Sequence, residues 1–326
     1  MGTLGNSGGC YFRMRKSYLF LSLIFLAHYA TAATVWIDTD ISIGSPIREV
    51  DDAFALVLAF HSPEIRIAGL STTYGNASLA QTTRAAHDLV KRFGQSAGLT
   101  VDDVFAGAGS AFDLSRQSEA SDALASRLKQ QKLTYVALGP LTNLATFLRL
   151  HPELANRIER VIFVGGAEPD ASFAFGPSRS LHIHDANVFK DPAATAVVLR
   201  SNLSLMLIPI TTGSRLLIDK ADLAQLEESG GAGSYLSRQS RIWLWFWTHF
   251  ARTNGGPIFD ALGIIPVTSP ELLTIRKRYA KMDEIGNLIM RPNLTNGAWP
   301  VRYCTDFAPR TKSFVIERLV TRSGHQ

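Results

Sequence analysis

Six short β-rich runs recur along the chain, most of them separated by a helix-length segment: "TVWID" (34–38), "IRIAGLSTTY" (65–74), "DVFAG" (103–107), "LTYVAL" (133–138), "RVIFVGG" (160–166) and "LSLMLIP" (203–209). Parallel strands cannot be joined by hairpins and need long crossovers, usually helices. The alternation therefore predicts an α/β fold with an open, mostly parallel, Rossmann-like sheet and helices on both faces. None of the runs alternates cleanly between polar and apolar residues, as expected of strands covered on both sides. Helices are predicted over 51–61, 78–93, 119–131, 141–150 and 191–201, the last with Asp191 as N-cap and Pro192 at its first position. Beyond about residue 210 the pattern reads as mostly helical. No linker, repeat or low-complexity stretch interrupts residues 33–326, which are read as a single domain.

The 326 residues, 46% of them hydrophobic, suffice for an extensive core. "YFRMRKSYLFLSLIFLAHYATAA" begins with Arg13, Arg15 and Lys16, continues into an apolar run and ends in a small-x-small site at Ala30-Thr31-Ala32. It reads as a secretory signal peptide over residues 1–32, too short in its apolar run for a membrane span, and predicts a periplasmic or secreted protein with no membrane association after cleavage. Cleavage would remove three cations and no acid, lowering the formal charge from +5 to +2. The basic balance is then no argument for a nucleic-acid partner. It would also remove Cys10, leaving Cys304 alone, so neither a disulfide framework nor a cysteine metal site is available.

In an open α/β sheet, ligands bind beyond the carboxyl ends of the strands. After the first strand, "VWIDTDISIGSPIREVDDAFALVLAF" sets four aspartates and a glutamate in an otherwise apolar stretch. Asp38 and Asp40 end the strand, and Asp51 and Asp52 begin a helix. Four such acids repel one another unless a cation lies between them. Arg48 is the only cation nearby in sequence, and carboxylates are what a hard ion such as Ca2+ or Mg2+ requires. A plainer reading has Asp51 and Asp52 only cap their helix and favour its dipole. Another makes Asp38 the nucleophile and Asp40 the general acid of a phosphatase of the haloacid dehalogenase kind; the later partners of that pattern are not evident, and Asp51-Asp52 would go unexplained.

"DTD…DDAFAL", "TTYGN", "ALGPLTNLA", "VGGA", "DANVFKDPAA" and "IFDALGI", in this order between Val35 and Ile264, resemble the inosine-uridine nucleoside hydrolase family. The resemblance implies hydrolysis of the N-glycosidic bond of ribonucleosides to free base and ribose. It implies a Ca2+ held by Asp40, Asp52, the backbone carbonyl of Leu138 and Asp260. Asp40 would also take the proton of the attacking water, at a sugar that passes through an oxocarbenium-like state. Asp38 would support Asp40 from behind. Asp51, Asn76 and Asn187 would meet the ribose hydroxyls, with Asp185, where the family more often has Glu, near the 5′ end. A homo-oligomer is implied as well. The alternative within this fold is a nucleoside- or ribose-binding protein without catalysis.

Three features depart from the family pattern. "ISIGSPIREV" separates Asp40 from Asp51 where a few residues are usual; loop extension costs little, so the helix start can still return to the site. Phe259 stands where many members have a histidine beside the leaving base. No Asn falls between Gly166 and Asn187, where many members carry a sugar-binding Gly-Asn pair; His182 or His184 could stand in, or form a structural pair. In "RIWLWFWTHFARTNGGPIFD" most aromatics should be core. Trp247 and His249 are the two expected at the nucleobase, for stacking and for protonation. Asn143 is read as part of a helix N-terminal turn, and Thr72, Thr73 and Gly75 as strand packing and a tight turn.

Overall fold

The computed structural model describes residues 1–2, 32–44, 48–166, 172–183, 185–284 and 286–320. The expected signal peptide falls almost wholly outside these residues, and His184 lies outside them too. Ala32–Gln326 forms one compact unit and Met1–Thr31 another. Among the described residues, every strand and helix belongs to the larger unit.

The strands in chain order are β1 (Ala33–Thr39), β2 (Ile65–Thr72), β3 (Val104–Ala106), β4 (Leu133–Ala137), β5 (Ile158–Val164), β6 (Phe173–Phe175), β7 (Leu181–Ile183), β8 (Leu205–Ile208), β9 (Leu217–Ile218), β10 (Gly256–Pro257), β11 (Leu273–Met282), β12 (Leu288–Arg291) and β13 (Trp299–Phe307). Nine of them form one sheet in the order β12-β11-β13-β8-β5-β4-β1-β2-β3. From β3 to β13 the pairings are parallel; β11 pairs antiparallel with both β13 and β12. The order reverses between β1 and β4, and that switch point is where a sheet of this kind opens a crevice.

Helices α1 (Asp51–Phe60), α2 (Leu79–Phe93), α3 (Glu119–Gln130), α4 (Thr142–Leu150), α5 (Ala186–Lys190) and α6 (Pro192–Arg200) follow the strands, and all but the short α5 are expected from the sequence. The sheet separates two apolar layers because alternate β1 side chains face opposite ways. Val35 and Ile37 join the layer that contains α1, and Trp36 joins the layer of α3 and α4. All ten residues of α1 are buried, which explains why "DDAFALVLAF" has no polar stripe. Asp191 caps α6 as read, its side chain accepting from the Ala194 N–H at 2.9 Å.

The C-terminal third differs from the sequence reading. It does contain helices, α7 (Ile210–Gly213), α8 (Lys220–Ser229), α9 (Gly231–Trp245), α10 (Ala261–Thr268) and α11 (Thr311–Val320), but β11, β12 and β13 extend the sheet. "LTIRKRYAKM" carries Arg and Lys at a sheet margin, where charge blunts an edge. That composition hides a strand from a reading tuned to apolar runs. No helix among the described residues is long and apolar enough to cross a membrane.

Candidate active site at the switch point

The carboxyl ends of β1, β2 and β4, the start of α1 and the start of α10 converge on one pocket. Its lining includes Asp40, Glu49, Asp51, Asn76, Leu138, Asp185, Asn187, Lys190, Trp247, Phe259 and Asp260. The long loop does return: Asp51 and Asp52 stand beside Asp40 although ten residues separate Asp40 from Asp51. Arg48, donating to the Asn76 carbonyl, and Ser42, whose hydroxyl donates to the Glu49 carbonyl at 2.8 Å, tie the loop's two ends down.

Single oxygens of Asp51, Asp52 and Asp260 lie within 4.8 Å of one another, and all three residues are buried. Neither Asp51 nor Asp52 makes a capping bond to α1, whose N-cap is Val50, so capping does not account for them. Asp52 accepts from the Thr39 hydroxyl and, at 3.2 Å, from Asn76 Nδ2. Asp51 Oδ1 is buried with no hydrogen-bond partner. Burial and then mutual repulsion hold the Asp51 and Asp260 carboxyls well above the ordinary range, and burial with the nearby Asp40 charge raises Asp52 to about 7. A buried anionic oxygen without a partner is costly, and an all-oxygen donor set of this kind fits a hard dication. Asp51, expected only at the sugar, belongs to this cluster as well.

Asp40 stands against the cluster. Its Oδ2 accepts from the Asn76 N–H at 2.7 Å and lies 3.4 Å from Lys190 Nζ. Burial raises its pKa, while the Lys190 charge and the Asn76 N–H pull it back. Gly75 makes room: a Cβ there would fall on Asp40 Oδ2. Gly75→Ala is accordingly expected to cost most of the turnover by displacing Asp40, with far-UV circular dichroism close to wild type; an Ala variant of full activity would show that the carboxylate can sit elsewhere.

Behind Asp40, Asp38 is wholly buried and accepts from the Ser71 hydroxyl at 2.6 Å and from Asn143 Nδ2 at 2.8 Å. Asn143 also accepts from the Ala108 N–H at 2.7 Å and donates to the Thr72 carbonyl at 3.1 Å. Asn143 is thus more than a turn residue, since it braces Asp38 from the first turn of α4. Burial lifts Asp38 to about 7 against these hydrogen bonds.

An aspartate raised in the folded state binds a proton that the unfolded chain has lost, so its stability contribution is complete below about pH 4 and disappears as pH rises towards 7. Metal-free protein should therefore lose stability from pH 4.5 to 7.5, by a few kcal/mol on the order of one such group. Thermal melts in chelator at the two pH values test this; a higher melting temperature at pH 7.5 would contradict it.

Asn187 Nδ2 donates to the carbonyls of Leu138 at 2.7 Å and Val164 at 3.0 Å. Leu138, whose carbonyl the resemblance implies as an ion ligand, lines the pocket, and that carbonyl already accepts one hydrogen bond. Asp185 caps α5, accepting from the Val188 N–H at 3.1 Å and from the Gly166 N–H. Burial lifts it to about 6. Both of its oxygens are engaged by the backbone, a reason for the shorter side chain at this position.

Trp247 is buried against Phe173, Phe175 and Phe259 and forms the apolar wall. His249 is a correction. It is exposed, stacks on Trp245 with ring centroids 5.5 Å apart, and lines a separate groove with Asp219 and Arg241. Two residues beyond Trp247 on a helical turn is the opposite face, whereas four beyond Trp245 is the same one. His182 is exposed too, paired with the Ser172 hydroxyl at 2.7 Å on the β6–β7 hairpin. The sequence reading missed Lys190 and Glu49, which are two of the pocket's charged groups. "DANVFKD" shows no reason for its lysine, since nothing local says that α5 turns it towards β1.

The family model for inosine-uridine preferring nucleoside hydrolases matches residues 35–313. The chain belongs to that family. It is 28% identical over 282 residues to uridine nucleosidase 1 of Arabidopsis thaliana, covering 77% of this chain and 82% of the relative. To the pyrimidine-specific ribonucleoside hydrolase RihB of Escherichia coli O157:H7 it is 25% identical, with coverage of 72% and 80%. Among solved structures, a plant nucleoside hydrolase superposes with a TM-score of 0.75 at 24% identity, over 89% of this chain and 99% of the other. A purine-preferring ribonucleoside hydrolase from Gardnerella vaginalis gives 0.73 at 20%, over 88% and 98%. Membership settles the choice against the phosphatase reading: the family is one of N-glycosyl hydrolases, and its fold is this mostly parallel sheet flanked by helices.

Proposed function

We propose that this nucleoside hydrolase is a calcium-dependent enzyme that cleaves ribonucleosides to free nucleobase and ribose. The observation that carries the reading is the buried cluster of Asp51, Asp52 and Asp260 at the switch point, with Asp40 beside it, opening on a pocket whose far wall is Trp247 and Phe259. Such a pocket offers charge and hydrogen bonds to a polar ring at one end and an apolar face to a flat ring at the other. Asp52, Asp260, the Leu138 carbonyl and Asp40 would hold the ion, with Asp51 shared between it and the sugar. When bound, a hard dication supplies Lewis acidity to oxygen groups beside it and offsets the acids' mutual repulsion.

Asp40 accepts a proton from the water that attacks the anomeric carbon. The remaining hydroxyl forms the new C–O bond, while the C–N bond breaks and its electron pair leaves with the base, which takes a proton from solvent. The Asn76 N–H orients Asp40 for this, and Lys190 stabilises its anion. Asp51, Asn76 and Asn187 bind the ribose hydroxyls, and their carboxylate and carbonyl dipoles favour the cationic character that the sugar acquires. A site built around hydroxyls should strongly reject a deoxyribonucleoside, whose missing group leaves buried partners unpaired.

Export, with residues 1–32 removed, a single catalytic domain over 33–326 and assembly into a homo-oligomer belong to the same proposal. The test is release of reducing sugar and free base from a panel of purine and pyrimidine nucleosides, with calcium and with chelator. Wild-type protein that binds nucleosides yet releases neither product would establish the binding-protein alternative.

A further inference from the structure

Glu49 is the last residue but one of the loop that separates Asp40 from Asp51; its charge repels that of Asp51, and it is given none of the ion-holding, sugar-binding or water-activating roles above. Its Oε2 accepts from Trp243 Nε1 at 2.7 Å. Trp243 is buried, with Gly256 lying so close to its ring that no Cβ would fit between them. The indole cannot easily shift, so the carboxylate it holds is fixed as well. Burial lifts the Glu49 carboxyl to about 7, while the Trp243 N–H, the neighbouring Trp247 indole and the Lys190 charge draw it back. No hydrogen bond to the other oxygen, Oε1, is present among the described residues, and Glu49 lines the pocket together with Trp247 and Phe259.

The aromatic wall therefore carries one acidic side chain that is pinned through one oxygen and has the other free. The sugar end is already served by Asp51, Asn76 and Asn187. A pinned acceptor on an apolar wall is how a binding pocket fixes the orientation of a flat heterocycle. From this geometry we propose that Glu49 is a further substrate-binding residue, whose free oxygen accepts a hydrogen bond from an N–H of the nucleobase. The inference rests on the nucleoside hydrolase reading and assigns a task to the inserted loop, which carries the acceptor to the base end of the pocket.

The comparison that isolates this contact uses uridine and inosine beside p-nitrophenyl β-D-ribofuranoside, which shares the ribose but has no N–H on its leaving group. Glu49→Ala is expected to lower kcat/KM on the nucleosides by roughly ten- to a hundredfold, the range for a hydrogen bond to a charged partner, mainly through KM. Its p-nitrophenyl riboside turnover should stay within about threefold of wild type. Glu49→Gln keeps an acceptor in place and should recover part of the loss. Trp243→Phe, which frees the carboxylate without removing it, should produce a smaller defect of the same selectivity. Equal losses on all three substrates would place Glu49 at the sugar or in the framework, and no loss on any, or a Gln variant no better than Ala, would overturn the contact. Wild-type protein inert towards every riboside would instead overturn the underlying reading.

Discussion

Asp40→Asn is expected to lower kcat by about 10²- to 10⁴-fold, the range for loss of a positioned general base. The variant changes little else. An Asn oxygen can still accept from the Asn76 N–H, and the side chain keeps its volume beside Gly75 and Gly139, each of which leaves room for Asp40. One negative charge leaves a crowded set of buried acids, so the thermal midpoint should hold or rise despite the loss of the Lys190 contact. The measurement is single-turnover release of base at saturating nucleoside, beside a thermal melt. Turnover within threefold of wild type would remove Asp40 as the base, and a melting temperature many degrees lower would show that it is mainly structural.

The second large effect is on the metal. Chelation should abolish turnover, and restoring calcium should recover it. Saturating an ion that binds only the folded state at a hundred times its Kd adds about 2.7 kcal/mol, which for a domain of this size corresponds to roughly 5–10 °C in Tm. Here the gain should be larger at pH 7.5 than at pH 4.5, because protons compete for the same oxygens as their pKa values are approached from above. Asp52→Asn and Asp260→Asn should each abolish the calcium-induced shift while leaving the metal-free protein at least as stable as wild type. A calcium-induced shift that survives both substitutions would locate the ion elsewhere.

Much of this site could be read from the chain because each segment carries its own reason. Asp38 and Asp40 follow an apolar strand, Asp51 and Asp52 precede an apolar helix, and Asp260 begins another. Acids in those places invite a cation wherever the segments meet. The rule that loops at the carboxyl ends of parallel strands face the ligand selected the loops that hold Asn76, Leu138 and Asn187, and the family resemblance implied those residues within them. His249 failed for a local reason. In an aromatic-rich helix every residue is a candidate for the buried face, and only the turn at Phe246–Phe250 decides that Trp247 faces in and His249 out.

Lys190, Glu49 and the contact of Asn143 with Asp38 were missed for a different one. The contacts from Lys190 to Asp40, from Glu49 to Trp243 and from Asn143 to Asp38 join residues 150, 194 and 105 positions apart. Nothing in a short window can announce such a pair. The sequence by itself determined the α/β class, the alternation of parallel strands and helices up to residue 210, and which residues bear the acids. Hydrophobic runs and backbone propensities act over a few residues, so these features are locally encoded. The tertiary structure alone decided that "ISIGSPIREV" folds back far enough for the acids at its two ends to meet. It also decided that charged strands close the sheet edge, and that a lysine and a glutamate from distant segments line the same pocket, because those outcomes depend on how distant segments pack.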